Sequence, residues 1–188
     1  MLICYGFCSS FCTVDRSLAV LEKLKELGHD LVPVCSFHFA STDTRFGRAE
    51  EKIGRAEEIC GRKMIRSLPQ AEPVGPVLKP DLMIIAPCTG NTLAKLRLGI
   101  SDTPLTLAAK AHLRNGAPLL IGLATNDGLS GNFENLAALY RRKNLFFVPL
   151  FQDDPINKPH SLVCNFEMIP QAATAAVNGQ QLLPLFLA

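Results

Sequence analysis

Between Pro80 and Gly116 the chain reads PDLMIIAPCTGNTLAKLRLGISDTPLTLAAKAHLRNG, and this stretch restricts the fold more than any other. Leu82 to Ala86 is an unbroken apolar run of strand length. Both of its faces must be covered, as in a strand inside a parallel sheet. Pro-Cys-Thr-Gly-Asn-Thr follows as a small, hydroxyl-bearing turn. Helical spacing resumes at Leu93, Leu96 and Ile100, breaks at Ser101-Asp102-Thr103-Pro104, and restarts through Leu105, Ala108, Ala111 and His112. A buried strand, a polar loop and a helix make the half-unit with which open α/β sheets hold ligands at the carboxyl ends of their strands.

The flanking segments repeat that alternation. Leu2 to Phe7 predicts a strand, Cys8 to Thr13 a turn, and Val14, Leu18, Leu21, Leu24 and Leu27 a helix stopped at Gly28. Leu31 to Phe37 predicts a second strand, giving a β-α-β opening with a parallel, right-handed crossover. Ala40 to Gly47 (ASTDTRFG) is polar and turn-rich, Arg48 to Cys60 a charged helix, and Lys63 to Ser67 a short strand. Leu68 to Pro80, with prolines at 69, 73, 76 and 80, predicts an ordered loop with no helix in its interior. Pro118 to Leu123 predicts a strand ending in Ala-Thr-Asn-Asp-Gly, Asn132 to Arg142 a helix, and Leu145 to Leu150 a last parallel strand. Phe151 to Ser161 is irregular, and Asn165 to Asn178 is a closing helix broken at Pro170. The expectation is a single α/β domain over 1–188, a three-layer α/β/α sandwich around a parallel sheet of about five strands.

Composition narrows the function classes. The 188 residues are 48% hydrophobic and 19% charged, with a net charge of +2 and no basic stripe to suggest nucleic acid. No apolar run approaches the roughly 18 residues of a membrane span. The opening MLICYGFC lacks the features of a secretory signal, so a cytoplasmic location with reduced thiols is expected. Cys4, Cys8 and Cys12 are spaced C-x3-C-x3-C, which fits neither zinc nor iron–sulfur spacings; they read as small buried hydrophobes, and no metal site is expected.

In such a sheet the carboxyl-end loops converge: Gly6 to Thr13, Ser36 to Gly47, Pro87 to Thr92 and Ala124 to Gly128. Each is rich in glycine, hydroxyls and amides and poor in charge. That composition suits a phosphate and a polyol chain, bound by helix-terminal N–H groups and short hydroxyls. No Walker lysine follows the first loop, and Gly-Phe-Cys-Ser-Ser-Phe supplies only one glycine of the dinucleotide fingerprint. A mononucleotide is left. Ser9, Ser10, Thr13, Thr89, Asn91 and Thr92 also suit simple helix capping, which uses the same N–H groups.

Residues 86–106, APCTGNTLAKLRLGISDTPLT, resemble the APxSxNTxAKxAxGxxDxLL signature of the homo-oligomeric flavin-containing cysteine decarboxylases, a family that includes the flavin prenyltransferases. The blocks STDTRFG (41–47), AEPVGP (71–76), AAKAHLRN (108–115), TNDGL (125–129) and FQDDPINKPHSLV (151–163) are similar, in order, to those of the dipicolinate synthase B-subunit family. The resemblance implies a Rossmann-like, flavodoxin-type flavoprotein fold with FMN at an oligomer interface. It also implies a sporulation role beside a dehydrogenase-like partner, the dipicolinate synthase A subunit, with NAD(P) entering through that partner. The implied reaction oxidises dihydrodipicolinate, a small dicarboxylate, to dipicolinate.

Carried over residue by residue, the resemblance implies that Gly6, Ser9 and Ser10 line the FMN phosphate, with Ser36 at the end of the second strand. Thr89, Asn91 and Thr92 would meet the flavin and ribityl chain, and Cys8, Pro87, Gly90 and Thr125 complete the cofactor contacts. Arg45 and Asn91 are the catalytic candidates, Arg45 because a guanidinium can take a substrate carboxylate bidentately. Lys95 and Lys110 are further cations, each equally a surface lysine; Asp43 and Asp127 are candidate proton acceptors. The chain departs from the decarboxylases in having cysteines at 8 and 12, no match for their catalytic histidine beyond His38, and ATNDG where they carry PxMNxxMW. Decarboxylation is therefore not expected. The rival reading is a non-catalytic scaffold or activator of the A subunit with a vestigial flavin pocket.

Overall fold

A computed structural model describes residues 1–187. Five parallel strands form the centre of the sheet: β1 (Leu2–Phe7), β2 (Asp30–Cys35), β3 (Leu82–Cys88), β4 (Leu119–Thr125) and β5 (Leu145–Phe147), in the order β2-β1-β3-β4-β5. Every residue of β3 is buried, as its apolar run requires. The chain order reverses between β1 and β3, and the crevice outside the carboxyl ends at such a switch point is where open α/β sheets take their ligands.

The sheet is mixed, so the all-parallel expectation needs correction. The segment read as one strand over 145–150 is split around Val148 and Pro149 into β5 and β6 (Leu150–Phe151). A further strand, β7 (Leu162–Cys164), pairs antiparallel with both β6 and the carboxyl end of β4. β4 therefore lies beside β5 along its first half and beside β7 along its second.

Helices cover both faces. α1 (Val14–Glu26), entered through a 3₁₀ turn at Phe11–Thr13, buries Leu18, Leu21 and Leu24 completely. α5 (Gly90–Leu98) and α6 (Pro104–Arg114) follow β3. Gly99 closes α5 in the left-handed conformation at φ 72°. Thr103 and Thr106 cap α6 reciprocally, and Pro104 occupies its first turn, where no N–H is needed. The Ser-Asp-Thr-Pro break is thus a stop followed by a start. α7 (Phe133–Tyr140) and α8 (Ile169–Val177) complete the layers, and Pro170 opens α8 instead of breaking it.

Three more boundaries differ from expectation. The second strand ends at Cys35, because Ser36 caps the short helix α2 (Phe37–Ser41), accepting from the Phe39 N–H at 3.3 Å. α3 (Ala49–Cys60) follows. The proline-rich segment contains a one-turn helix, α4 (Leu68–Ala71), capped by Ser67 and Gln70 with Pro69 in its first turn. The short strand expected at 63–67 is a single bridge, Ile65 against Val34. A buried polar relay ties α1 to the head of the site: the Tyr5 hydroxyl lies 2.9 Å from Ser17 Oγ, which donates to the Ala86 carbonyl at 2.5 Å.

Candidate functional site

Beyond β1, β2 and β3 lies a cleft of about 160 Å³, lined by Ser9, Ser36, His38, Asn91, Thr92 and Lys95 among others. Three of the four loops expected to converge meet here. Thr89, a further lining residue, caps α5 by accepting from the Thr92 N–H at 3.4 Å. The Gly90 and Asn91 N–H groups ahead of it have no internal acceptor among the described residues, and neither has the Asn91 side-chain amide. Ser36 leaves the Phe37 and His38 N–H groups in the same state. Open donors at helix starts are an anion cradle.

Among the described residues, Lys95 is the one cation lining the cleft, and it is already paired. Lys95 Nζ reaches both carboxylate oxygens of Asp102 at 2.8 and 2.9 Å across the break between α5 and α6. The Lys95 hydrogen bond holds the Asp102 carboxyl below its ordinary value. Asp102 and Thr103 line the cleft, although in the sequence they show only as a helix break. His38, the lone histidine of its region, lines it as well.

Of the other expected cofactor contacts, none lines the cleft. Gly6 is buried in β1, where a Cβ would strike the Leu105 side chain, so its role is close packing of α6 on the sheet. Ser10 accepts from the Thr13 hydroxyl at 3.1 Å. Pro87 lends its carbonyl to the Cys8 N–H at 3.2 Å. Cys8 is buried behind the cleft wall, donating its thiol to Thr92 Oγ1 at 3.1 Å. Its hydrogen bond to Cys88, together with burial, pushes the Cys88 thiol well above its ordinary value. Cys4 is pushed to about 12 by burial, whereas the burial of Cys8 is outweighed by hydrogen bonds with Cys88, Thr92 and Thr89, which lower its thiol. Arg45 stands exposed at the tip of the 42–48 loop with its guanidinium 4.8 Å from the Phe46 ring centre, outside the cleft lining. Lys110 is on the surface near Ser101.

The fourth loop forms a closed network. Thr125 Oγ1 and Asn132 Nδ2 donate to the two oxygens of Asp127 at 2.5 and 2.7 Å, and Asn135 donates to Asn132 at 2.8 Å. Arg97 of α5 donates to Asn135 at 3.0 Å and pairs with Glu134. Gly90 is pressed against this network: a Cβ there would stand 2.7 Å from Thr125 Oγ1 and 2.9 Å from Asp127 Oδ1. Thr125 and Gly90 therefore build the scaffold under α5.

The donor set fits a phosphate and a polyol: open N–H groups, short hydroxyls and a free amide. At about 160 Å³ the cleft is smaller than the roughly 300 Å³ at which small-molecule pockets usually begin. It would enclose one end of a mononucleotide, with the rest against an open face. A larger cavity of about 660 Å³ lies by β6 and the carboxyl tail, lined by Leu129, Phe151, Leu162 and Phe186 and, among the described residues, by no ionisable side chain. Among the described residues no three His, Cys, Asp or Glu side chains gather as metal ligands, and no helix is long and apolar enough to cross a membrane.

Comparison with known proteins agrees with this geometry. The Flavoprotein family model matches residues 8–178. The dipicolinate synthase B subunit of Bacillus subtilis (strain 168) is 41% identical over 183 residues, which cover 97% of this chain and 92% of that protein. The crystal structure of the dipicolinate synthase B subunit from Bacillus halodurans C superposes with a TM-score of 0.91 at 38% identity, covering 100% of this chain and 96% of that one. A dodecameric FMN-dependent Ubix-like decarboxylase from Escherichia coli O157:H7 shares the fold, with a TM-score of 0.61 at 23% identity over 75% of this chain and 76% of that one. The chain belongs to the Flavoprotein family, in the group of the dipicolinate synthase B subunits.

Proposed function

We propose that this chain is the FMN-holding half of a two-component dipicolinate synthase. Acting with a dehydrogenase-like A subunit, it would take dihydrodipicolinate to dipicolinate in sporulating cells. The observation that carries the reading is the cleft at the β1/β3 switch point, where the starts of α2 and α5 leave N–H donors unspent beside Ser9, Thr89, Asn91 and Thr92. FMN bound there would supply hydride acceptance, a task that no protein side chain performs.

The chain's own residues orient and hold. Open N–H groups at the α5 start and the hydroxyls of Ser9, Ser36 and Thr89 would take the phosphate and ribityl oxygens. The Asn91 amide, free of internal bonds, would set the edge of the ring or of the substrate. The His38 imidazole lines the same cleft, and a neutral imidazole carries a ring nitrogen that accepts a proton. It would receive the ring proton lost as the substrate becomes aromatic, a role for which Asp127 is unsuited because its oxygens are engaged by Thr125 and Asn132. The open side of the cleft favours completion by a second copy of the chain, as a dodecameric relative of this fold would allow. NAD(P) on the A subunit would receive the electrons in turn.

The scaffold reading draws on the missing decarboxylase histidine and on Cys8, a departure from the decarboxylase pattern in the first loop. The second support weakens, because Cys8 points behind the wall. The test is direct. The purified chain should be yellow or should take up added FMN, and dihydrodipicolinate oxidation should need both proteins and flavin. A colourless chain that takes up no FMN, yet activates the A subunit, leaves the scaffold reading standing.

A further inference from the structure

Lys52, on α3, is only 5% exposed, and its Nζ is the single buried side-chain nitrogen or oxygen among the described residues with no hydrogen-bond partner. An ammonium carries three donors, and lysine is almost never fully buried unless paired. Among the described residues it forms no ion pair, and four acidic side chains of α1, α3 and the 42–48 loop have other partners. Asp43 accepts from the Ala49 N–H at 2.8 Å and Glu51 from the Arg48 N–H at 3.4 Å. Glu50 pairs with Arg66 at 2.7 Å, and Asp15 with Arg55 at 3.1 Å. The ammonium instead lies 5.1 Å from the centre of the Phe11 ring. An aromatic face offsets only part of a buried charge's desolvation cost.

Its surroundings suit an incoming anion. Phe11 opens the helical run into α1, and neither capping position, Ser10 or Thr13, makes a side-chain cap bond to that start. Two residues earlier, Ser9 lines the cleft. On the other side the Lys52 stem passes Gly47, in a loop whose ends are tied by the Thr44–Gly47 hydrogen bonds at 3.2 and 3.0 Å. Charge balance says which anion is missing. Lys95 is neutralised by Asp102 inside the cleft, so a dianionic substrate there meets no spare positive charge. Lys52, joined to the Ser9 loop through Phe11, is a buried cation with no partner.

We propose that Lys52 and the open Phe11 and Cys12 N–H groups of the turn leading into α1 form a loop-covered oxyanion subsite next to the cleft, and that it takes one carboxylate of a small dicarboxylate. The assignment to substrate rests on the proposed function; the oxyanion subsite itself does not. Binding would give the ammonium a charge-assisted partner and hold the 42–48 loop over it.

The experiment measures thermal shift and titration of the purified chain with dipicolinate, inorganic phosphate and FMN at constant ionic strength. Lys52→Met is the first variant, with Lys52→Gln as a second neutral variant should Met fail to fold. The expected result is a higher Tm for the neutral variant without ligand, since an unpaired buried charge is removed. Dipicolinate affinity should fall about tenfold or more, while FMN affinity changes by less than about threefold. Unchanged affinity for all three ligands in the neutral variant, or a wild type that binds neither dipicolinate nor phosphate, overturns the subsite. Loss of FMN with dipicolinate retained gives the ammonium to the flavin phosphate and overturns the substrate assignment. A wild type that ignores FMN but binds dipicolinate through Lys52 refutes the flavin proposal and leaves the subsite intact.

Discussion

The carboxyl ends of β3 and β4 carry loops of the same polar make-up, yet they do opposite things. At β4, Thr125, Asp127, Asn132, Asn135 and Arg97 satisfy one another, and the network holds α5 from beneath. At β3, the start of α5 leaves the Gly90 and Asn91 N–H groups and the Asn91 amide unspent over a cleft. A polar loop is a ligand site when its donors lack internal acceptors and a scaffold when they have them. Thr125 ends β4 and Thr89 follows the end of β3; they are the same residue type, and their different partners separate them.

Several substitutions would break or sharpen that contrast. Gly90→Ala should have the largest effect, because its methyl must displace Asn132, Thr125 and Asp127 together; overpacking of this kind costs about 1–3 kcal/mol. Chemical denaturation should show that loss, with flavin uptake falling alongside as the α5 start moves. Asp127→Ala should cost about 2 kcal/mol by stranding its two donors, while leaving FMN affinity near wild type in the folded fraction. A folded Asp127→Ala protein that has lost FMN would put the β4 loop in the site after all. Asn91→Ala reverses the pattern: about tenfold weaker FMN binding, roughly 1.4 kcal/mol, with stability unchanged within about 0.5 kcal/mol.

A pH series probes the scaffold alone. His112, 1% exposed on α6, has its pKa lowered from the ordinary 6.5 by burial, partly opposed by its 2.8 Å hydrogen bond to the Pro118 carbonyl. The unfolded chain then binds the proton more readily than the folded one. The stability this histidine contributes is present above 6.5 and is lost as pH falls below it, and His112→Gln should flatten that part of the Tm profile. Arg45→Ala should do least: an exposed side chain resting on Phe46 predicts a stability change within about 0.5 kcal/mol and unaltered FMN uptake. A loss of turnover in that variant would show that the 42–48 loop closes over substrate.

Much of this is readable in the sequence where a residue's local chemistry decides its structure. The apolar run at 82–86, the helical spacing from Val14 and the loop hydroxyls each specify their element without help from distant contacts. The signature around Asn91 locates the cleft. Partner choice is not readable, since nothing in ATNDG says that Thr125 finds Asp127 instead of a ligand. Nor does AEEKIGR say that Lys52 turns inward. Proline misleads at 69 and 170 because its cost falls on helix interiors, whereas both residues sit in first turns, where an N–H is superfluous. Pairing of β7 with β4 depends on a connection through Phe151 to Ser161 that carries no periodic signal.

The mixed sheet also bears on how copies of this chain can meet. β2's outer edge is taken by Ile65, which exchanges hydrogen bonds with Pro33 and Cys35. β6 is paired on its outer side by Leu185 and Leu187. β5 is closed by one side chain, the Gln181 amide, which accepts from the Phe147 N–H at 2.9 Å and donates to its carbonyl at 2.6 Å. Exposed strand edges invite pairing between molecules and uncontrolled growth. With these margins partly occupied among the described residues, helix and loop side chains offer the broader surface for contact between copies, and edge-to-edge strand pairing is disfavoured.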